Sequence, residues 1–283
     1  MPTLSALTLY PIKSCAGIAL AQAEVTVHGL ASGGVRDREW MVVDPEGNLL
    51  TQREYPAMAL IVPRIAGDAL ELSAPGLPVL RLPIDTASLA RAATMDVRAW
   101  DDFVQAWDCG SEPAQWFSHA VGTSCRLARF HPMARRLASS KWTGEREVPT
   151  LFSDGFPMLV TSEASLADLN HRLAAQGRDA LPMNRFRPNL VIDGIEAFEE
   201  DYAATIRIGA ACLQPVKPCA RCPMPSVDQA TGRFGPDPLD ILQTYRANPL
   251  VDGGITFGMN AILIEGEHTL VRVGQDADIE IAF

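Results

Sequence analysis

The segment Trp40-Met41-Val42-Val43-Asp44-Pro45-Glu46-Gly47-Asn48-Leu49-Leu50 places two short apolar runs on either side of a proline and a glycine. Proline and glycine favour a turn, so the segment predicts a β-hairpin. The same arrangement recurs over residues 60–72, with a turn at Ala66-Gly67-Asp68. Leu4 to Tyr10 predicts a further strand that ends at Pro11. Short strands with regular turns are typical of a β-barrel or a β-sandwich.

The remainder of the chain combines helix and strand patterns. Ser162 can cap a helix that carries leucines on one face. Glu112 to Val121 predicts another helix, capped by Ser111, and Pro238 to Tyr245 predicts a third, capped by Asp237. The predicted strands in this part are Phe156 to Thr161, Asn189 to Asp193, Thr205 to Ile208, Ala261 to Glu265 and Thr269 to Val273.

Strands dominate these predictions and helices are few. The predicted fold class is therefore mainly β, or α+β with a barrel. We place a domain boundary at about residue 125, which divides the chain into 1–125 and 126–283.

Composition restricts the class of protein further. Hydrophobic residues make up 47% of the 283 residues, enough for a sizeable core. No apolar run approaches the roughly 18 residues of a membrane helix, and Met1-Pro2-Thr3-Leu4 lacks the features of a signal peptide. The net charge of −10 opposes binding to phosphate backbones. We expect a cytoplasmic protein that binds neither nucleic acid nor a membrane.

The acidic character is interrupted over residues 113–144, which contain no aspartate or glutamate. The cations of this stretch are Arg126, Arg129, Arg135, Arg136 and Lys141. The stretch predicts a solvated loop, a docking surface for an acidic partner, or a gate over a substrate pocket.

The segment Lys217-Pro218-Cys219-Ala220-Arg221-Cys222-Pro223-Met224-Pro225 carries two thiols and two cations within six residues. Nearby cations favour the thiolate, which is the species that binds metals and attacks electrophiles. The prolines stiffen the segment, which we interpret as a loop. Six cysteines in a chain without an export signal do not indicate a disulfide scaffold, so a special cysteine is predicted to be catalytic or metal-binding.

Three interpretations of this cysteine pair compete. A structural zinc site needs a second Cys or His pair at a regular spacing, which is missing from the sequence. A thioredoxin-type pair begins a helix, which Pro223 and Pro225 oppose. Two buried cysteines in a turn are the third interpretation, although Lys217 and Arg221 resist burial.

A second candidate site is Tyr10-Pro11-Ile12-Lys13-Ser14-Cys15-Ala16-Gly17, where a strand leads into a loop with a cation, a hydroxyl and a glycine. Such a loop suits an anionic group such as a phosphate. Arg36-Asp37-Arg38 supplies two more cations, although a surface ion pair with Asp37 is an alternative. Arg187 enters a strongly apolar strand, where an arginine requires an anion or a carboxylate.

At these residues the chain resembles the MOSC superfamily, named for the C-terminal domain of molybdenum cofactor sulfurase. Within it, the chain is similar to the branch of the mitochondrial amidoxime-reducing component and its bacterial relatives. The segments that carry the resemblance, in order, are Tyr10 to Cys15, Arg36 to Trp40, Ser162 to Asn170, Phe186 to Asn189, Cys219 to Cys222 and Pro238 to Arg246.

The resemblance implies a fold and a cofactor. An N-terminal β-rich, barrel-like domain would pack on a MOSC β-barrel with a few helices, and a molybdenum cofactor (molybdenum bound to molybdopterin) would lie between them. Cys222 would be the metal ligand and the catalytic residue. The implied cofactor-binding residues are Lys13, Ser14, Arg38, Asp154, Arg187 and Arg221. A pyridoxal phosphate site is not expected.

The resemblance also implies a molybdenum-dependent reductase of N-hydroxylated and other N-oxygenated compounds. A separate donor of the ferredoxin, flavodoxin or cytochrome type would supply the electrons, because no cysteine follows Cys222 to ligate an iron–sulfur cluster and no glycine-rich dinucleotide fingerprint follows a strand. Two alternatives stay open. One is a non-catalytic carrier of the cofactor, and the other is a sulfur-carrying protein with a persulfide on Cys222.

Overall fold

The computed structural model describes residues 1–89 and 92–282 of the chain. Its first twelve strands are β1 (Thr3–Leu9), β2 (Ile18–Leu20), β3 (Gln22–Thr26), β4 (Gly29–Ser32), β5 (Val35–Arg36), β6 (Trp40–Val43), β7 (Val62–Ala66), β8 (Ala69–Ser73), β9 (Leu80–Pro83), β10 (Thr94–Ala99), β11 (Asp102–Asp108) and β12 (Arg126–Phe130).

The later strands are β13 (Met158–Ser162), β14 (Leu190–Asp193), β15 (Ala203–Ile208), β16 (Ala211–Ala220), β17 (Val227–Asp228), β18 (Arg233–Phe234), β19 (Ala247–Asn248), β20 (Gly254–Glu265), β21 (Thr269–Arg272) and β22 (Asp278–Ile281). The α-helices are α1 (Ser111–Val121), α2 (Ser140–Thr143), α3 (Glu163–Ala174) and α4 (Leu239–Leu242).

The largest sheet contains strands from both ends of the chain. Its order is β2-β1-β14-β13-β20-β16-β15-β22, and β19 pairs with β20. In this sheet β1 runs antiparallel to β14, with Leu7 opposite Leu190. Strands β13 and β14 are parallel neighbours, with α3 between them in the sequence. The N-terminal strand is therefore an internal strand of the sheet whose strand β16 leads into the Cys219–Cys222 segment.

Smaller sheets contain most of the remaining N-terminal strands together with the C-terminal strand β21. They have the orders β10-β11-β12-β6, β7-β8-β9 and β21-β3-β4-β5. Strands make up 41% of the residues, so the predicted fold class, mainly β or α+β with an N-terminal β-barrel domain, is confirmed. The hairpin predicted over residues 60–72 is also confirmed, with Ala66 of β7 opposite Ala69 of β8.

The helix predicted after Ser162 is confirmed together with its cap. Ser162 Oγ accepts a hydrogen bond from the Ser165 backbone N–H at 3.1 Å, as expected of an N-cap serine. Buried Leu169 and Leu173 lie on the face of α3 that packs inward. The cap predicted for α1 is wrong by one residue, because the helix includes Ser111 and its N-cap is Gly110.

Helix α4 is shorter than predicted. It covers Leu239–Leu242, with Pro238 at the N-cap, whereas the sequence predicted a helix from Pro238 to Tyr245. The Asp237 side chain still caps the first turn of the helix, since its Oδ1 accepts a hydrogen bond from the Leu239 N–H at 2.9 Å. Beyond the helix, the Arg246 N–H still donates to the Leu242 carbonyl at 2.7 Å, and its Nη2 donates to Asp201 Oδ2 at 2.5 Å.

The segment before Cys219 is a strand and not the predicted loop. Strand β16 continues to Ala220, and its pairing with β20 shifts register between Pro215 and Lys217 and again between Pro218 and Ala220. Proline cannot donate a ladder hydrogen bond, so it is tolerated in a sheet at such irregularities. The prolines therefore coincide with local interruptions in the pairing of one long strand.

The main hydrophobic core combines residues from both halves of the chain. Leu7, Trp40 and Phe117 are buried in it together with Val160 and Leu213. None of the helices in the described part of the chain is both long enough and apolar enough to cross a membrane.

The pairing of β1 with β14 yields a test of stability. We expect Leu7→Ala to lower the free energy of unfolding by about 2–5 kcal/mol, because it removes a fully buried side chain from the core. Urea denaturation measures the change. Leu250→Ala is the matched control, since Leu250 is 61% exposed and should cost less than about 0.5 kcal/mol. Equal effects of the two substitutions would contradict the proposed importance of β1.

Candidate cofactor site

A cleft of about 230 Å³ lies at the surface of the large sheet and brings five of the predicted site residues together. These residues are Arg38, Asp154, Arg187, Arg221 and Cys222. A larger cavity of about 340 Å³ lies beside α1, but none of the predicted site residues lines it. We therefore place the candidate site in the cleft.

The floor of the cleft includes a row of residues on adjacent strands. Asn189 and Leu159 are hydrogen-bonded through the Asn189 N–H, which donates to the Leu159 carbonyl at 2.9 Å. Leu159 lies opposite Asn260, and Asn260 lies opposite Lys217. Because neighbouring strands are about 4.8 Å apart, this row spans roughly 14 Å from Asn189 to Lys217.

One end of the cleft is built around the Arg38 guanidinium. Arg38 Nη1 donates to Asp37 Oδ2 and, at 3.0 Å, to Asn189 Oδ1. Asp37 Oδ1 in turn accepts the Tyr10 N–H at 2.8 Å and the Asn189 side-chain N–H at 2.9 Å. Asp37 is only 1% exposed, so this ion pair is buried and is not the surface pair that the sequence left open.

Arg187 is the buried cation of this end that has no counter-ion. Its guanidinium carbon lies 4.3 Å from the centroid of the Tyr10 ring, and that of Arg38 lies 4.4 Å from the same ring. Within the described residues, Arg187 has no carboxylate at ion-pair distance and its buried Nη1 has no hydrogen-bond partner. Burial lowers the pKa of Arg187.

A buried cation without a counter-ion is costly, and a bound anion removes that cost. The cleft that Arg187 lines is therefore suited to an anionic group. The phosphate of molybdopterin is such a group, so the residues present fit the implied cofactor at this end.

Lys13 does not line the cleft, although its partner Asp154 does. Lys13 Nζ is buried and donates to the Phe152 carbonyl at 2.7 Å and to Asp154 Oδ1 at 2.6 Å. The Trp100 indole N–H donates to the same carboxylate oxygen at 3.2 Å. Desolvation raises the pKa of Asp154, but the Lys13 ammonium lowers it more, so this pKa lies below its usual range. Lys13 is therefore buried and ion-paired, and Asp154 lies between it and the cleft.

Ser14, Arg38 and Arg187 share an uncommon backbone conformation. Their φ angles are 67°, 48° and 56°, in the left-handed region that favours glycine. Each such residue costs about 1–3 kcal/mol and persists where the surrounding structure enforces it, commonly at functional sites. Ser14 itself is buried, and its carbonyl accepts the Gln52 side-chain N–H at 3.2 Å. The strain thus falls on three residues that the sequence predicted for the cofactor.

The cysteine segment forms another wall of the cleft. Cys222 is half-buried and lies two residues beyond the end of β16. The Arg221 N–H donates to the Ile255 carbonyl at 2.7 Å, and its Nη2 donates to the Phe186 carbonyl at 2.7 Å. Arg221 Nη1 contacts Cys219 Sγ at 3.0 Å. Arg221 therefore contacts the first thiol of the motif, and in the described chain Cys222 Sγ has no hydrogen-bond partner.

The zinc interpretation gains no support from this arrangement. Across residues 1–89 and 92–282 there is no group of three or more His, Cys, Asp or Glu side chains that could hold a metal ion. Cys212 lies near the opposite end of β16 and is buried. A metal bound through Cys222 would need its other ligands from a bound molecule.

The arginines of the acid-free stretch have carboxylate partners, whereas the exposed Lys141 has none among the described residues. Arg129 is buried and paired with Glu39 at 2.8 Å. Arg136 is also buried, is paired with Asp102 at 2.7 Å and donates to the Ser153 carbonyl. The two remaining arginines pair with carboxylates as well, Arg126 with Asp108 and Arg135 with Glu147. The stretch lacks acidic residues of its own, but the fold packs it against acidic residues from other segments.

Several residues of the site escaped the sequence analysis. Asn189 lies in a segment that carried the family resemblance, and its polar side chain beside a buried strand could have indicated it. Trp100 and Asn260 lie in strand-rich regions whose local pattern carries no signal for a site. Their positions depend on pairings between distant strands.

Comparison with known proteins identifies the family. The MOSC N-terminal beta barrel domain matches residues 1–124, and the MOSC domain matches residues 148–278. The chain belongs to the MOSC family.

Among curated proteins, the chain is similar to the amidoxime-reducing components. It is 38% identical to mitochondrial amidoxime reducing component 2 of Bos taurus over 248 residues, which cover 86% of this chain and 72% of that protein. It is 37% identical to mitochondrial amidoxime-reducing component 1 of Homo sapiens over 248 residues, with the same coverage of both chains.

Replacing Arg187 should affect the stability of the protein and its cofactor content differently. We expect Arg187→Met to reduce the molybdenum and pterin content of the purified protein without lowering the free energy of unfolding of the cofactor-free protein, because an uncompensated buried charge is removed. Metal analysis, pterin fluorescence and urea denaturation measure the three quantities.

Arg185→Met is the control for this experiment. Arg185 is also buried but is paired with Asp228 at 2.7 Å, so its replacement should cost more stability than that of Arg187. Full cofactor content in Arg187→Met, or a loss of stability equal to that of Arg185→Met, would show that Arg187 does not face an anion.

Proposed function

We propose that this protein is a molybdenum-cofactor-dependent oxidoreductase that reduces N-oxygenated compounds with electrons from an external donor. The observation that carries the proposal is the presence, in one cleft, of a half-buried thiol, Cys222, and a buried guanidinium, Arg187, that has no counter-ion among the described residues. The similarity to proteins named amidoxime-reducing components supports the substrate class.

In the proposed complex, the cofactor supplies a sulfur-ligated metal that accepts and returns two electrons. The Cys222 thiolate is the protein ligand, since a soft sulfur donor suits such a metal. Arg187 and Arg38 neutralise the terminal phosphate. Asp37 and Asn189 orient the Arg38 guanidinium through their hydrogen bonds to its Nη1. Lys13 holds Asp154 at the edge of the cleft through their ion pair, and Ser14 lies in the same loop as Lys13.

Arg221 is proposed to position the ligand thiolate. Its backbone and side-chain hydrogen bonds to the carbonyls of Ile255 and Phe186 fix the short segment between the two cysteines. That constraint limits the directions in which Cys222 Sγ can point. Its guanidinium also adds positive charge to the wall of the cleft.

We also propose that a separate protein, of the ferredoxin, flavodoxin or cytochrome type, delivers the electrons. The absence of a glycine-rich dinucleotide fingerprint from the sequence supports this proposal over direct use of NADH. The relatives are named as mitochondrial proteins, and a cytoplasmic location for this chain stays a prediction. The domain boundary near residue 125 also stays a prediction.

The two cysteines of the motif provide a matched pair of variants. We expect Cys222→Ser to abolish reduction of benzamidoxime by chemically reduced protein and to change the electron paramagnetic resonance spectrum of the metal, because a hydroxyl cannot replace a soft thiolate. Cys219→Ser should be milder, since a serine oxygen can accept the Arg221 hydrogen bond. A reversal of the two phenotypes would assign the ligand to Cys219.

The alternatives for the MOSC family predict different outcomes in the same assay. A non-catalytic carrier would hold molybdenum and pterin but would not reduce benzamidoxime with any reductant. A sulfur-carrying protein would release sulfide from Cys222 on treatment with a thiol and would hold no stoichiometric molybdenum.

The source of electrons is tested separately. We expect turnover with a strong artificial reductant but none with NADH alone, and a carrier protein with its reductase should restore NADH-dependent activity. Anaerobic assays that follow substrate reduction by chromatography measure this. Full turnover with NADH alone would contradict the requirement for a separate donor.

A further inference from the structure

The cleft contains another cation, Lys217, which the proposed cofactor site does not use. The Lys217 ammonium lies 5.6 Å from the centroid of the Trp142 ring and 5.9 Å from that of the Phe156 ring. In the described part of the chain no carboxylate lies within ion-pair distance of it. The side chain is half-buried in the wall of the cleft.

The backbone of Lys217 lies at the other end of the cleft floor from Asn189, which binds Arg38. It ends the row of residues across the floor of the cleft that begins at Asn189, the hydrogen-bond partner of Arg38. The backbone separation along this row is roughly 14 Å. One phosphate held by Arg38 and Arg187 therefore does not account for a cation at the opposite end.

The surroundings of Lys217 are apolar and firmly packed. Phe156 is 7% exposed and belongs to a small hydrophobic cluster with Val148 and Ile262, against which Trp142 packs. An apolar wall beside a single cation suits an aryl or alkyl group that carries an anionic substituent.

The charge distribution of the cleft favours the same kind of ligand. Four cationic side chains and one carboxylate line it, on a chain whose net charge is −10. That carboxylate, Asp154, is paired with Lys13 and so leaves Lys217 unopposed. Elsewhere, the acidic surface of the protein repels anions, so an anionic molecule would be drawn towards this cleft.

We propose that Lys217 determines substrate specificity by binding an anionic substituent, such as a carboxylate, of an N-oxygenated substrate that occupies the cleft beside Cys222. The inference rests on the proposed function for the identity of the reacting group. It adds the substrate class: N-oxygenated compounds with an apolar body and a negative charge remote from the N–O group.

Benzamidoxime and 4-carboxybenzamidoxime form a suitable pair of probes, because they differ only in the remote carboxylate. We expect kcat/KM with an artificial reductant to be roughly tenfold higher for the carboxylated compound, as a charge-assisted hydrogen bond would give. The preference should weaken with added salt. Titration calorimetry on the oxidised protein, without reductant, should give the same ratio in Kd.

Lys217→Gln should remove this preference, and Lys217→Glu should reverse it. Lys141→Gln is the matched control, because the Lys141 ammonium lies 5.3 Å from the same Trp142 ring but the side chain is exposed and outside the cleft. It should keep the preference of the parent protein. Molybdenum and pterin content is measured for every variant.

The possible outcomes distinguish a failure of the Lys217 inference from a failure of the proposed reaction. A carboxylate preference that is absent in the parent protein, or that survives in Lys217→Gln, overturns the inference. Loss of molybdenum and pterin in Lys217→Gln overturns it too, since Lys217 would then serve the cofactor. If the Kd preference follows Lys217 but neither compound turns over, the inference holds and the proposed reaction is contradicted.

Discussion

The antiparallel pairing of β1 with β14 is the constraint on which the site depends. It joins the end of the first strand to the start of a strand about 180 residues later, with the Thr8 N–H donating to the Asn189 carbonyl and the Asn189 side chain donating to the Thr8 carbonyl. The loop after β1 and the turn before β14 are thereby forced together. Tyr10 and Arg187, which lie in those two segments, consequently meet at one end of the cleft.

Buried cations inside and outside the cleft differ in their ion pairing. Even deeply buried cations elsewhere, such as Arg129 and Arg185, have a carboxylate partner. In the cleft, Arg187 and Lys217 do not, among the residues that the structure describes. Among the described residues, the cleft thus holds three cations without a carboxylate partner, Arg187, Lys217 and Arg221. They match a ligand that brings its own negative charge.

The sequence predicted well those features that depend on neighbouring residues. The Ser162 cap, the leucine face of α3 and the hairpin at residues 60–72 are all local, and each is confirmed. Strand β16 was missed because Pro215 and Pro218 normally interrupt a strand, whereas here they coincide with shifts in its pairing. The final strand, β22, was missed as well, and its residues are at most half-buried.

Features that depend on distant segments could not be predicted from local patterns. The stretch over residues 113–144 indicated a positive surface, but Glu39 and Asp102 neutralise its buried arginines from outside it. The candidate site residues came from a family resemblance, since neither periodicity nor spacing links Lys13 to Arg187. Lys217 was noted only as a neighbour of the thiols, because its isolation from carboxylates is a property of the folded chain.

The central claim is that the Cys222 thiolate binds the molybdenum of a pterin cofactor in this cleft. X-ray absorption at the molybdenum edge, on protein purified from a host that makes the cofactor, tests it most directly. We expect one protein sulfur neighbour of the metal in addition to the dithiolene sulfurs of the pterin, and we expect Cys222→Ser to lose that neighbour. An unchanged sulfur count in Cys222→Ser, or parent protein without molybdenum, would contradict it.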